Sequence, residues 1–234
     1  MNRKDFLAAS ATAAASSGVA GAAELPGGAH FVERRSDFDA AAFANIVGRP
    51  AAIRQVFEAV AFRPSVLGNV KNALNGLQFG FGYSANAIAV ALAGHGPSAV
   101  YAYADQLWVR YRLGEFFKLT DAAGTPVASN VFLQRRAPID VRTDPDDAAG
   151  MYQDESIEML QRRGVIVLAC HTAIEEQARA IFTRGFAPAA TSSADVAADI
   201  LTNLIPGTVV VPSMVAAIAV LQASYHYTYV TLAL

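Results

Sequence analysis

Five short segments of the chain have the hydrophobic pattern of β-strands. Residues 87–93, 165–169 and 208–211 are almost continuously apolar, as is typical of parallel strands that are covered on both faces. Residues 53–58 and 225–232 instead alternate apolar and polar side chains, which is the period of a strand. Because the last segment is also rich in tyrosine and threonine, we expect it to close an edge of the sheet.

The segments between these strands carry apolar residues at helical spacing. The predicted helices cover about residues 37–44, 65–77, 97–117, 152–163, 173–182, 193–204 and 213–223. Strands that alternate with helices indicate a single doubly wound α/β domain, with a parallel sheet and helices on both faces. Right-handed crossovers place every loop after a strand on one edge, so His95, Cys170 and Ser213 are predicted to share that edge.

The first residues predict an export signal rather than a part of the fold. The opening Asn2-Arg3-Lys4-Asp5-Phe6-Leu7 leads into a run of Ala, Ser and Gly, with a small-residue cleavage pattern near residues 20–23. It resembles the twin-arginine motif with Lys4 in place of the second arginine, so we expect a periplasmic protein. An ordinary amphipathic or disordered N-terminus is the alternative.

The chain therefore divides into three parts. Residues 1–23 are the predicted signal, residues 24–52 an N-terminal arm and residues 53–234 the α/β domain. Within the domain, residues 120–150 are rich in Gly, Pro and Asp and are predicted to form an insertion loop.

Composition excludes some classes of partner. The 234 residues include 18 Lys and Arg against 20 Asp and Glu, and no basic run is present, so we expect no nucleic-acid partner. Only 16% of the residues are charged and the mean hydropathy is +0.30. Even so, no segment after residue 23 has the roughly 18 consecutive apolar residues of a membrane span. The apolar composition and the tyrosine-rich edge strand predict a homo-oligomer.

The single cysteine, Cys170, is the strongest candidate for chemistry. It follows an apolar strand and precedes a predicted helix, a place where backbone N–H groups and a helix N-terminus stabilise a thiolate. A lone thiol cannot make an internal disulfide. The alternative is a small buried hydrophobic residue at the end of a strand, which is a common environment for free cysteine.

Two histidines are candidate partners of this thiol. His95 lies between two glycines at the end of a predicted strand, where it could act as an acid, a base or a hydrogen-bond partner. The alternative is a turn histidine that does neither. His171 adjoins Cys170 and would favour the thiolate when protonated, although adjacent side chains often point apart. His226, between two tyrosines, is predicted to be a surface or interface residue.

The sequence predicts no metal and no cofactor. Cys170 and His171 supply two possible ligands, and a third from His95 depends on geometry that the sequence does not define. The acidic run at residues 144–147 lacks the spacing of a calcium loop and is predicted to be solvated. No dinucleotide fingerprint, phosphate-binding loop or serine nucleophile elbow is present.

Four segments, taken in order, resemble the DsrE/DsrF-like sulfur-relay family. Gly164-Val165-Ile166-Val167-Leu168-Ala169-Cys170 resembles its cysteine-bearing strand, and Pro206-Gly207-Thr208-Val209-Val210-Val211-Pro212-Ser213 resembles its C-terminal unit. Asn69-Val70-Lys71-Asn72-Ala73-Leu74-Asn75 and Ala93-Gly94-His95-Gly96-Pro97 resemble its first helix and the end of its second strand. The resemblance covers roughly residues 53–232, apart from the insertion.

This resemblance implies a parallel α/β fold, homo-oligomers and, in active members, a cysteine that carries sulfur as a persulfide. The expected function is an exported sulfurtransferase or sulfur carrier that uses Cys170, with His95 and His171 as assisting residues. Its partner would be a sulfur donor or acceptor protein or a small sulfur compound. The alternative is a non-catalytic, oligomeric periplasmic binding module for a small ligand or a partner protein. A sulfur near His95 or backbone N–H groups favours the first function, and a sulfur buried among apolar side chains favours the second.

Overall fold

A five-stranded parallel sheet forms the centre of the protein. The computed structural model describes residues 32–133 and 142–232, so the predicted signal, the start of the arm and part of the insertion lie outside the described residues. The strands are β1 (Ile53–Ala59), β2 (Ile88–Gly94), β3 (Ile166–Cys170), β4 (Val209–Val211) and β5 (Thr228–Leu232). Their order across the sheet is β4-β3-β2-β1-β5, and every neighbouring pair is parallel. The predicted parallel α/β fold is confirmed, and β5 forms an edge as predicted.

Helices connect the strands. In the described residues the α-helices are α1 (Ala40–Val47), α2 (Pro64–Asn75), α3 (Asp105–Arg110), α4 (Leu113–Phe116), α5 (Ile157–Arg162), α6 (His171–Thr183), α7 (Ser193–Thr202) and α8 (Met214–Tyr225). A π-helical turn (Gly76–Gly80) follows α2, and 3₁₀ helices cover Ala85–Ala87 and Gly96–Ala102. Across this part of the chain, no helix combines the length and the apolar character that crossing a membrane requires.

Side-chain caps explain where several helices begin. Asp39 caps α1 and Ser156 caps α5, each by accepting a backbone N–H of the first turn. The helix predicted from residue 193 is α7, whose cap is Ser192, and Asp195 completes the capping box by accepting the Ser192 N–H at 2.8 Å. The helix predicted from residue 65 begins one residue earlier as α2, with a proline at its first position.

The two faces of the sheet pack against different helices. On β2, the side chains of Ile88, Val90 and Leu92 belong to one buried cluster, which includes residues of α2, α3, α5, α6 and α7. The alternate side chains Ala89, Ala91 and Ala93 belong to a second cluster, which includes residues of α1 and α8. Since successive side chains of a strand point to opposite faces, helices cover both faces of the sheet. The small alanines let α8 lie close to the strands.

The long helix predicted for residues 97–117 is wrong. A 3₁₀ helix, α3 and α4 replace it, and Arg112 between the last two has a left-handed backbone with φ 46°. The break occurs because the side-chain amide of Asn130 donates to the carbonyls of Tyr101 and Tyr103, both at 2.9 Å. Carbonyls that accept these bonds are turned away from a continuous helix. Asn130 and Phe132 belong to the insertion loop predicted for residues 120–150. Their segment is therefore packed on the core, where Phe132 is buried.

Candidate functional site

The carboxyl edge of the sheet brings the predicted residues together. Cys170 is the last residue of β3, His95 follows β2, and Ser213 lies two residues beyond β4, which confirms the predicted shared edge. Gly94 pairs with Ala169, so His95 and Cys170 occupy the next positions of neighbouring strands. Both have an extended backbone. By strand alternation both side chains project from the sheet face that α8 covers.

The Cys170 sulfur lies at the start of two helices. Its Sγ accepts the backbone N–H of Ala173 in the first turn of α6 at 3.4 Å and that of Met214, the first residue of α8, at 3.3 Å. The N-terminus of a helix carries partial positive charge and free N–H donors. Two such termini are directed at one sulfur, and Cys170 acts as the N-cap of α6.

The same sulfur is also enclosed. Cys170 is only 2% exposed, with Val211 and Ala217 in the same apolar cluster. The two features that we expected to separate the alternative functions therefore occur together. Backbone N–H groups contact the sulfur, as a reactive thiol requires, and apolar side chains surround it, as a packing residue would show.

A buried carboxylate organises His95. Glu58 of β1 is 7% exposed, and its Oε1 lies 3.0 Å from His95 Nδ1. Its second oxygen, Oε2, accepts the hydroxyl of Tyr229 on β5. This hydrogen bond to Glu58 is the main cause that raises the pKa of Tyr229 above its ordinary value. We refer to Glu58, His95 and Tyr229 as the edge triad.

The edge triad defines which nitrogen of His95 can react. An ionised carboxylate can only accept hydrogen bonds, so the contact with Glu58 requires the proton of a neutral His95 to be on Nδ1. Nε2 then carries the lone pair, and about a third of the side chain is exposed, 36%. A histidine oriented in this way by a carboxylate can take a proton from an incoming group.

Two buried side chains hold the loop that carries His95. Ser98 is fully buried; its hydroxyl accepts the His95 N–H at 2.9 Å and donates to the carbonyl of Ala59 at the end of β1. Gln177 of α6 donates to the Gly96 carbonyl at 2.6 Å and accepts the hydroxyl of Tyr103 at 2.8 Å. The loop is therefore fixed to both β1 and α6, and the position of His95 is preorganised.

His171 lies on a different side of this edge. Its Nε2 is 3.9 Å from Glu175 Oε1, one turn further along α6. It also lines a cavity together with Glu33, Asp37 and Val210, beyond the edge strand β4. The structure thus brings Cys170 and His95 to neighbouring positions and directs His171 toward acidic side chains.

An apolar groove of about 390 Å³ adjoins the Cys170 edge. It lies between α1 and α8 and is lined by Phe43, Val211, Ser213 and Tyr225, among others. Ser213 directly precedes Met214, whose N–H contacts the sulfur. The groove therefore reaches within one residue of a group that contacts Cys170.

No metal-binding cluster among the described residues and no known relative points to a function. Among the described residues, no group of three His, Cys, Asp or Glu side chains could hold a metal ion. No family model, no curated protein and no solved structure matches the sequence or the fold.

Proposed function

We propose that the protein carries sulfane sulfur as a persulfide on Cys170 and passes it to an acceptor thiol, in the periplasm to which the predicted signal would export it. The observation that carries this proposal is the pair of backbone N–H groups, from Ala173 and Met214, that contact the Cys170 sulfur. They stabilise a thiolate before the reaction and an anionic persulfide after it. The resemblance to the sulfur-relay family in the sequence around Cys170 supports the same chemistry.

Each transfer exchanges one sulfur–sulfur bond for another. The Cys170 thiolate attacks the outer sulfur of a donor persulfide, R–S–SH, a bond forms between the two sulfurs, and the donor S–S bond breaks. Its electron pair leaves on R–S⁻, and Cys170 becomes Cys–S–SH. An acceptor thiolate then attacks the outer sulfur of Cys170 in the same way and restores the Cys170 thiolate. No oxidant or reductant is consumed.

In this proposal the edge triad prepares the acceptor. An incoming thiol must lose its proton before it can attack, and in this scheme His95 Nε2 takes that proton. Glu58 keeps the Nδ1 proton in place and stabilises the imidazolium that forms, while Tyr229 holds Glu58. His171 takes no step in this scheme.

The burial of Cys170 favours a second candidate function. Cys170 is 2% exposed; in this second function it is a packing residue, and the protein is a non-catalytic binding module. Burial is also compatible with sulfur transfer, because a persulfide in a dry site is protected from side reactions. The two functions differ in one measurable property, the reactivity of Cys170 in the folded chain.

Treatment with polysulfide is therefore expected to add one sulfur atom to each folded chain. Intact mass spectrometry measures this, and Cys170→Ser should gain nothing while keeping a side chain that caps α6. Urea-unfolded wild-type protein, treated in parallel, is the control, because sulfur on the unfolded chain shows that the polysulfide can load an accessible Cys170. A folded chain that gains no sulfur while the unfolded chain does would favour the binding module.

We also propose that the protein is a homo-oligomer. Val215 and Val220 on α8 are 58% and 44% exposed, and Tyr229 on the edge strand β5 is 41% exposed. Light scattering at micromolar concentration should give a mass above that of one subunit, and Val215→Glu should reduce it. Val109→Glu is the matched control, because Val109 is 64% exposed on α3, a helix that packs on the face of the sheet opposite to α8. A measured mass of one subunit for the wild-type protein throughout the micromolar range would refute the proposal.

A further inference from the structure

A cavity of about 300 Å³ lies at the amino edge of the sheet, opposite to the Cys170 edge. Ile88 at the start of β2 and Gly164, just before β3, form part of its wall. Leu74, Met151 and Tyr152 add apolar and aromatic surface, and Gln78 and Asn86 add amides. The cavity therefore has the mixture of apolar walls and a few polar groups that is typical of small-molecule sites.

Three arginines line this cavity: Arg49, Arg162 and Arg163. Arg162 is paired with Glu158 at 3.7 Å. Within residues 32–133 and 142–232, neither Arg49 nor Arg163 has a carboxylate within ion-pairing distance. No acidic residue is among those that line the cavity. Its wall therefore carries positive charge that the described residues do not balance.

Arg163 is the most unusual of the three. Its Nη2 donates to Asn75 Oδ1 at 2.8 Å, and its guanidinium lies 5.0 Å from the centre of the Tyr152 ring. Its Nη1 is buried, and no described protein atom accepts a hydrogen bond from it. Burial lowers the pKa of Arg163 to about 10, so the side chain is still charged at neutral pH. Arg163 as a whole is only partly buried, and a charge that is partly removed from water without an ionic partner destabilises a protein unless something else compensates it.

Backbone carbonyls hold Arg49 at the wall of this cavity. The guanidinium of Arg49 donates to the carbonyls of Ile88 and Asn86. Gly164 has φ +88°, a conformation that favours glycine, and a Cβ there would lie 3.6 Å from Arg49 Nη2. Arg49 thus lies against the residue that follows Arg163, both arginines line the same cavity, and carbonyl contacts fix the orientation of Arg49. This is a preorganised pair of donors for an oxyanion.

We propose that this cavity binds a small organic oxyanion, a carboxylate or a phosphate ester. The anionic group lies against Arg49, Arg162 and Arg163, and the apolar part of the ligand packs on Leu74, Ile88 and Met151. This site goes beyond sulfur transfer and does not depend on it, because the two sites lie at opposite edges of the sheet.

The test uses phenyl phosphate, benzoate and inorganic phosphate as probes at constant ionic strength, with calorimetry and thermal unfolding as readouts. At least one organic anion should bind saturably and raise the melting temperature. Arg163→Met should weaken binding about tenfold or more. The same variant should melt no lower than wild type without ligand, because it removes a partly buried charge that has no ionic partner among the described residues. Tighter binding of phenyl phosphate would indicate a phosphate ester as the ligand, and tighter binding of benzoate would indicate a carboxylate.

Two further variants keep the proposal falsifiable if Arg163→Met does not fold. Arg162→Gln changes an exposed side chain and should weaken binding of the same probe. Arg112→Gln is the matched control, because Arg112 is an exposed arginine outside this cavity that pairs with Glu115 at 3.2 Å, and it should bind like wild type. Absence of saturable binding of both organic probes, or equal binding by wild type and Arg162→Gln, would overturn the proposal. Equal affinity for inorganic phosphate would overturn the organic part of it.

Discussion

A chain in which alanine replaces Trp108 is expected to lose about 3–5 kcal/mol of its free energy of unfolding. Trp108 is fully buried on α3, and its indole N–H donates to the Tyr103 carbonyl at 3.3 Å. The rings of Phe62, Tyr101 and Phe132 form the aromatic cluster beside it. Removing the indole leaves a cavity that these neighbours, fixed on other segments, can fill only in part. Equilibrium unfolding in urea measures the loss.

The neighbouring residue supplies the control for this prediction. Val109 is on the same short helix and is 64% exposed, so Val109→Ala should change the free energy of unfolding by no more than about 0.5 kcal/mol. Similar losses for the two variants would show that the side of α3 that carries Trp108 is not part of the core. Similar losses would also mean that the aromatic cluster beside Trp108 does not hold the segment around Phe132 on the core.

Sulfur transfer from Cys170 to a small thiol is expected to slow by about a hundredfold when alanine replaces His95, which is within the usual contribution of a general base. Glu58→Gln should act in the same direction. A glutamine amide can donate to Nδ1, which moves the imidazole proton to Nε2 and removes the lone pair that accepts the proton of the thiol. Stopped-flow measurement of acceptor persulfide formation from pre-loaded protein gives both rates.

His226→Asn is the matched control for His95. His226 is an exposed histidine with φ 60° at the end of α8, and asparagine tolerates this left-handed conformation. Its rate should equal that of wild type. If His95→Ala and His226→Asn both transfer at the wild-type rate, the edge triad has only a structural role and the acceptor thiol loses its proton to solvent.

The carboxyl edge could be predicted because the central strands are covered on both faces. β2 and β3 each lie between two other strands and two layers of helices, so their side chains are apolar without interruption and both segments stand out in the sequence. Once the strands alternate with helices, parallel pairing places His95 and Cys170 on one edge. The hydrophobic pattern of the strands and the right-handed crossover rule were sufficient to predict that these two residues share an edge.

The edge triad could not be predicted in the same way. Its three residues come from β1, from the loop after β2 and from β5, and they meet only because the chain returns after β4 to place β5 next to β1. Strand order of this kind depends on long-range pairing. One signal was present: Glu58 has the same strand parity as buried Val56 and thus points to a covered face. A charged residue in that position requires a partner.

One of the two N–H donors to the Cys170 sulfur could be predicted from the sequence, and the other could not. Ala173 follows Cys170 by one helical turn, so its N–H could be anticipated from the strand–helix boundary. Met214 is distant in sequence, and its N–H reaches the sulfur only because β4 pairs with β3 and α8 begins directly after it. The second helix N-terminus was therefore a finding of the three-dimensional structure.

Transfer of sulfur from the loaded chain tests the central claim most directly. Protein carrying one extra sulfur is freed of excess donor and mixed with a small thiol, and intact mass is followed with time. The account predicts that the added mass leaves Cys170 as the acceptor persulfide appears in equal amount, and that the Cys170→Ser chain shows neither change. A folded chain that never gains sulfur, or that keeps it indefinitely, while the urea-unfolded chain gains sulfur and passes it to the thiol, would contradict the account.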